Sequence, residues 1–227
     1  TPFKYMHIKE NLKKLHENIP ENVEIVAVSK TKPVEDILKA YEAGQRAFGE
    51  NKAQELISKQ PELPADIQWH YIGHLQTNKV KYIVPFVSLI HSIDRLKLLK
   101  TINKEARKAD RTVDALLQFH IAEEDTKFGL SLDEARDILS SDVYKNAANI
   151  NIKGVMGMAT FTDDKAQIRR EFKELKNIFD TLKDEFFSDN PEFQHISSGM
   201  SSDYPIAIEE SSTIVRLGSV IFGPRNK

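Results

Sequence analysis

The chain has 227 residues, 40% hydrophobic and 29% charged, a length that suits one barrel-sized domain or two small ones. Its 32 Lys plus Arg stand against 34 Asp plus Glu for a formal net charge of −2, which argues against nucleic acid or an anionic membrane surface as partner. Cysteine is absent, which removes disulfides, thiolate metal sites and cysteine nucleophiles together, and no apolar run approaches the ~20 residues of a bilayer span. The first six residues lack the apolar core of a secretion signal, so a cytoplasmic protein is the expectation.

A first helix is predicted over about 8–18. The apolar run Val23-Glu24-Ile25-Val26-Ala27-Val28 then delivers Ser29 and Lys30, a strand over 23–30 of the kind buried on both faces of a parallel sheet. A lysine at the carboxyl end of such a strand either snorkels to solvent or points into the site at that end of the sheet. Desolvation there favours the neutral amine, the form that attacks a carbonyl to make a Schiff base. A helix over 33–44 follows, with Ile37, Leu38 and Tyr41 on one face and Gly44 as its cap. Strands are predicted at 47–50, 68–72 and 89–93, then a helix over 95–108 carrying Leu96, Leu98, Leu99 and Ile102. After a strand at 114–121, a Ser131/Glu134 capping box opens a helix over 131–139. A strand at 152–158, a long charged helix over 165–187, and strands at 193–197 and 213–222 complete the pattern.

Strands alternating with helices in this number predict an α/β fold, a (β/α)₈ TIM barrel forming a single domain over 1–227, with a doubly wound open sheet as the rival. The active face of such a barrel lies at the carboxyl ends of its strands. No metal site is expected there, because His70/His74 and His91 with Asp94 lack a third ligand at suggestive spacing. The loop 196–203, Ile-Ser-Ser-Gly-Met-Ser-Ser-Asp, pairs hydroxyls with a glycine and suits phosphate. Arg216 sits inside an otherwise apolar strand and needs a polar partner, either a ligand or an ion pair with Glu209 or Glu210. An amine, a phosphate-suited loop and a buried guanidinium together point to pyridoxal phosphate (PLP), whose aldehyde, phosphate and ring nitrogen need those three groups. An arginine at the ring nitrogen leaves it unprotonated and weakens the ring as an electron sink, which favours limited chemistry or simple holding of the cofactor.

The same residues carry a resemblance. Ala27-Val28-Ser29-Lys30-Thr31-Lys32-Pro33, Phe48-Gly49-Glu50-Asn51, the run from Trp69 to Lys79 (WHYIGHLQTNK) and His91-Ser92-Ile93-Asp94 resemble the pyridoxal phosphate homeostasis proteins, single-barrel relatives of alanine racemase. Lys127-Phe128-Gly129-Leu130, Gly154-Val155-Met156-Gly157-Met158, Gly199-Met200-Ser201-Ser202-Asp203 and the run from Val215 to Gly223 continue it in the expected order. The resemblance implies an alanine racemase N-terminal-domain-like barrel (fold-type III) with PLP bound as an internal aldimine on Lys30. It places Ser197, Gly199, Gly218 and Ser219 around the phosphate, Arg216 at the ring nitrogen, and Asn51, Ser92 and Met156 along the pocket. Ser198 stands where the family usually has Met, Ser211 where it has Gly, and Ser219 replaces a common Thr.

The leading expectation is therefore a PLP-binding protein of intracellular PLP homeostasis, a monomer without catalytic residues of its own, which buffers the cofactor or delivers it to apo enzymes. Two rivals belong to other classes. An amino-acid racemase of the alanine racemase scheme needs a tyrosine base from an extra β domain, and only residues 223–227 follow the last strand; Tyr71 and Tyr204 are the nearest substitutes. A cofactor-free Schiff-base aldolase needs an acid–base carboxylate beside the lysine, for which Glu50 and Asp94 are candidates.

Overall fold

A computed structural model describes residues 2–124 and 128–224, so Lys127 of the family-like motif lies outside the described residues. The strands β1 (Glu24–Val28), β2 (Ala47–Glu50), β3 (Gln68–Tyr71), β4 (Leu89–Ile93), β5 (Val113–Phe119), β6 (Ile150–Gly157), β7 (His195–Ser197) and β8 (Ile214–Leu217) pair in parallel and in chain order. β8 closes on β1, with Val26 in register with Arg216, so the sheet is a closed barrel and not an open one. Around it run α1 (Pro2–Asn18), α2 (Val34–Glu42), α3 (Ala53–Lys59), α4 (Val80–Ile83), α5 (Leu96–Lys108), α6 (Leu132–Ser140), α7 (Asp142–Lys145), α8 (Lys165–Phe186), α9 (Tyr204–Glu209) and α10 (Ser219–Phe222). The capping box of Ser131 and Glu134 opens α6 as expected, and Asp164 caps α8 by accepting from the Ala166 and Gln167 N–H groups.

Alternation along the strands divides the side chains between two cores. Ile25, Ala27, Trp69, Tyr71, Val215 and Leu217 join helix residues such as Leu56, Leu99, Phe172 and Leu175 in the outer layer. Val26, Ala47, Leu89, Leu116, Met156 and Ile214 plug the barrel interior. Each large side chain buried in this way contributes about 1.5–3 kcal/mol. Among the described residues, no helix is long and apolar enough to cross a membrane.

Several expected boundaries move, two of them at the carboxyl ends of the strands. The strand over 213–222 stops at Leu217; the chain turns at Gly218, and the Ile221 and Phe222 N–H groups return to its carbonyl at 2.9 Å each, making α10. Val220-Ile221-Phe222 has strand composition, but Ile221 and Phe222 are buried in the outer core and Asn11 Nδ2 donates to the Ile221 carbonyl at 3.0 Å, so packing on α1 overrides propensity. The first strand ends at Val28, which leaves Ser29 and Lys30 in the turn beyond it.

Ser211 follows α9 with φ of 80°, the left-handed conformation that terminates helices and favours glycine. The side chain there costs about 1–2 kcal/mol. Ser211→Gly is expected to raise the unfolding free energy by about 1 kcal/mol, read in urea as a higher midpoint at unchanged slope.

Candidate functional site

The turn that carries Lys30 is fixed from behind by a buried network. Lys59 reaches from the end of α3 and its Nζ donates to the Ser29 carbonyl (2.9 Å), Glu50 Oε1 (2.5 Å) and Glu55 Oε2 (2.7 Å). Ser29 Oγ donates to Glu50 Oε1 at 3.1 Å, and the Thr31 N–H donates to Glu55 Oε2 at 2.8 Å. Thr31 has φ of 64°, a strained value for a β-branched residue, held by these contacts. Burial pushes the Glu50 carboxyl up to about 7 against the opposing pull of Lys59. A carboxyl raised from 4.5 gives stability that is complete below about pH 4.5 and is lost as pH rises through about 7. Glu50→Gln removes that slope; the stability difference between variant and parent is expected to shift by about 3 kcal/mol from pH 4.5 to 8 in parallel urea titrations.

Lys30 lines two adjoining cavities at the carboxyl ends of the strands, of about 380 and 220 Å³, which share Val28, Met200 and Arg216. The larger is also walled by Ser201, Ser202, Gly218 and Ser219, the smaller by Asn51, Gly73 and Gln118. Gly73 is there because of a close approach: a Cβ would stand 2.3 Å from the Asn51 carbonyl oxygen. Ser201 Oγ accepts from the N–H groups of Gly218 (3.3 Å) and Val220 (3.4 Å), so hydroxyl and backbone donors converge beside the larger cavity. Phe128, Met158, Phe161 and Met200 are exposed apolar side chains on the same walls.

Of the nine residues the sequence points to, the structure brings Lys30, Asn51, Arg216, Gly218 and Ser219 onto these walls. Ser92, Met156, Ser197 and Gly199 line neither cavity. Met156 belongs to the interior plug, and Ser92 lies fully buried where the β4–β5 register breaks between Ile90 and Ile93. Ser197 is fully buried on β7, with its Oγ bound to Arg216 and His91. Gly199, at φ of 102°, lets the loop cross α9, since a Cβ would lie 2.8 Å from Ala207 Cβ; its carbonyl accepts the Arg216 N–H. Ser201 is the hydroxyl that sequence reasoning left out of the set, although its loop was singled out. Gln118 was also missed, and the period of two along β5 would have placed it on the inner face beside Leu116.

Arg216 is 4% exposed. Its guanidinium donates to Ser197 Oγ (2.5 Å) and to the Gly157 carbonyl (3.2 Å). The expected alternative, an ion pair with Glu209 or Glu210, does not form: Arg169 on α8 takes both carboxylates, at 2.6 and 2.9 Å. Burial lowers the Arg216 pKa to about 10, with Asp203 opposing, so it remains a cation at neutral pH. Neither candidate carboxylate for an aldolase stands ready. Glu50 is bound behind the turn, and Asp94 accepts from Arg95 at 2.6 Å and lies 3.7 Å from His74 Nδ1. The Tyr71 hydroxyl donates to the Asn51 and His74 carbonyls, and burial pushes its pKa up to about 12, so it is no base at neutral pH. No group of three or more potential metal ligands occurs among the described residues.

This arrangement has known counterparts. The family model "Alanine racemase, N-terminal domain" matches residues 4–226. A pyridoxal phosphate homeostasis protein of Pasteurella multocida is 35% identical, over 97% of this chain and 99% of its own length. One of Aquifex aeolicus is 37% identical, over 88% of this chain and 86% of its own. Among solved structures, PipY of Synechococcus elongatus is 33% identical and covers 95% of this chain and 100% of its own; it superposes with a TM-score of 0.88 without PLP and 0.85 with PLP bound.

Proposed function

We propose, from the premise that this chain belongs to the pyridoxal phosphate homeostasis proteins and to the alanine racemase N-terminal-domain family, that it binds PLP and holds it on Lys30, buffering or delivering it within the cell. One observation carries the reading: Lys30 and Arg216 face the same cavities, beside the converging donors of Ser201, Gly218 and Ser219. The residues present fit the cofactor, since it supplies an aldehyde, a dianionic phosphate and a ring nitrogen that accepts a hydrogen bond.

Lys30 would hold the cofactor through its aldehyde, the group that PLP supplies for a Schiff base with an amine. Gly218, Ser219 and Ser201 would hold the phosphate by backbone and hydroxyl donors, and Arg216 would donate to the ring nitrogen. Asn51 borders the pocket, while Ser92, Met156, Ser197 and Gly199 support it from behind. Because a guanidinium donates a hydrogen bond without giving up its proton, the ring stays a weak electron sink and the protein acts as a holder without turnover. The relatives' name, homeostasis protein, is in keeping with this. The chain acts as one domain, as a cytoplasmic monomer, with apo PLP enzymes as recipients.

The test is uptake. Added PLP should turn the purified protein yellow, and borohydride should fix the cofactor on Lys30. Protein that stays colourless with PLP in excess overturns the proposal.

A further inference from the structure

A line of hydrogen-bonding side chains runs through the interior of the barrel, beside the apolar plug. Arg216 on β8 donates to Ser197 Oγ on β7, and Ser197 Oγ lies 2.9 Å from His91 Nδ1 on β4. His91 Nε2 lies 2.9 Å from His70 Nδ1 on β3, and His70 Nε2 lies 3.6 Å from Glu24 Oε1 at the start of β1. Glu24 opens onto a cavity of about 560 Å³ at the opposite mouth, its side chain 39% exposed.

We propose that Ser197, His91 and His70 form a one-way hydrogen-bond relay whose far end faces the Glu24 carboxylate, and that they are positioning residues for the Arg216 guanidinium at the cofactor's ring nitrogen. The second half of this rests on the function proposed above.

The direction follows from the two ends. Arg216 has only donors, so Ser197 Oγ must accept from it. The one hydroxyl proton of Ser197 then goes to His91 Nδ1, which puts the His91 proton on Nε2. That proton is donated to His70 Nδ1, and the His70 proton sits on Nε2, facing a carboxylate. The reverse tautomers would leave the Ser197 proton without an acceptor and turn a bare nitrogen toward Glu24. A cation at one end and a carboxylate at the other thus select the same polarity at every link. Complete burial between His70 and Arg216 keeps the His91 imidazole neutral, as the relay requires, and His70 holds the Glu24 carboxyl below its ordinary range. The other titratable groups around the lower end are His195 on β7, Lys153 on β6 and Asp114 on β5.

The test has two readouts. In the unloaded full chain, ¹⁵N chemical shifts of the imidazoles should show His70 and His91 both protonated on Nε2 and bare on Nδ1 at neutral pH. The opposite tautomer, or a His91 imidazolium, overturns the relay. In absorbance titrations with PLP, His91→Leu should weaken binding about tenfold. His91→Gln, which keeps an acceptor for Ser197 and a donor for His70, should restore most of it. In an Arg216→Leu background the His91→Leu effect should vanish. Equal affinity of His91→Leu and parent, or an undiminished effect without Arg216, overturns the positioning role. A parent chain that takes up no PLP overturns the proposed function instead, while the tautomers still decide the relay.

Discussion

Lys30→Ala is expected to abolish covalent attachment of PLP, leaving no borohydride-fixed label on the chain, whereas Lys32→Ala retains the label on residue 30. The cavities contain two lysines, and only their placement distinguishes them. Lys30 lines both cavities together with Arg216, while Lys32 lines the larger one alone and its Nζ reaches the Pro224 carbonyl at 3.5 Å. Lys59, the other amine near the turn, is buried and bound to two carboxylates and the Ser29 carbonyl, so it is not a free nucleophile. If the proposed function holds, loss of the amine would remove the C=N bond outright and leave the phosphate and ring contacts, so weak reversible binding is expected to persist in the variant. The check is mass spectrometry of the reduced protein, digested and mapped. A label of parental intensity in Lys30→Ala would show that another amine is the tether.

Arg216→Glu is expected to change chemistry more than affinity. A carboxylate at the ring nitrogen keeps that nitrogen protonated, and the ring then accepts electrons from a substrate carbon that arginine leaves unactivated. Exchange of the α-proton of D- or L-alanine in deuterated water should rise by about two orders of magnitude. The substitution also removes the donors that reach Ser197 and Gly157 and places an acid at a site 4% exposed, so the unloaded variant loses several kcal/mol. Circular dichroism on the loaded variant establishes that it is folded, and Arg216→Leu separates loss of the guanidinium from gain of the acid. Exchange at the parental rate in folded, loaded Arg216→Glu would count against Arg216 as the partner of the ring nitrogen.

Much of this molecule was legible in the sequence. The alternation of apolar strand runs and amphipathic helices announced the barrel, because burial on both faces leaves a periodic mark that local reading detects. The capping box at Ser131 and the charge at Arg216 were visible for the same reason: each is a local signal that needs no distant partner to be recognised. Val220-Ile221-Phe222 was misread as strand because its composition is compatible with either form, and the choice was made by α1, roughly two hundred residues away in the chain.

By itself, then, the sequence determined the fold class and the family, and it singled out Lys30 and Arg216, which line the same two cavities. Only the tertiary structure decided what those residues lean on. It bound Glu209 and Glu210 to Arg169, put Lys59 behind the Lys30 turn, and joined His70 to His91, not to His74. The physical reason is that hydrogen bonds between strands depend on barrel closure and register. Those bring residues such as His91 and Ser197, 106 positions apart, to within 2.9 Å, a proximity that no local pattern records.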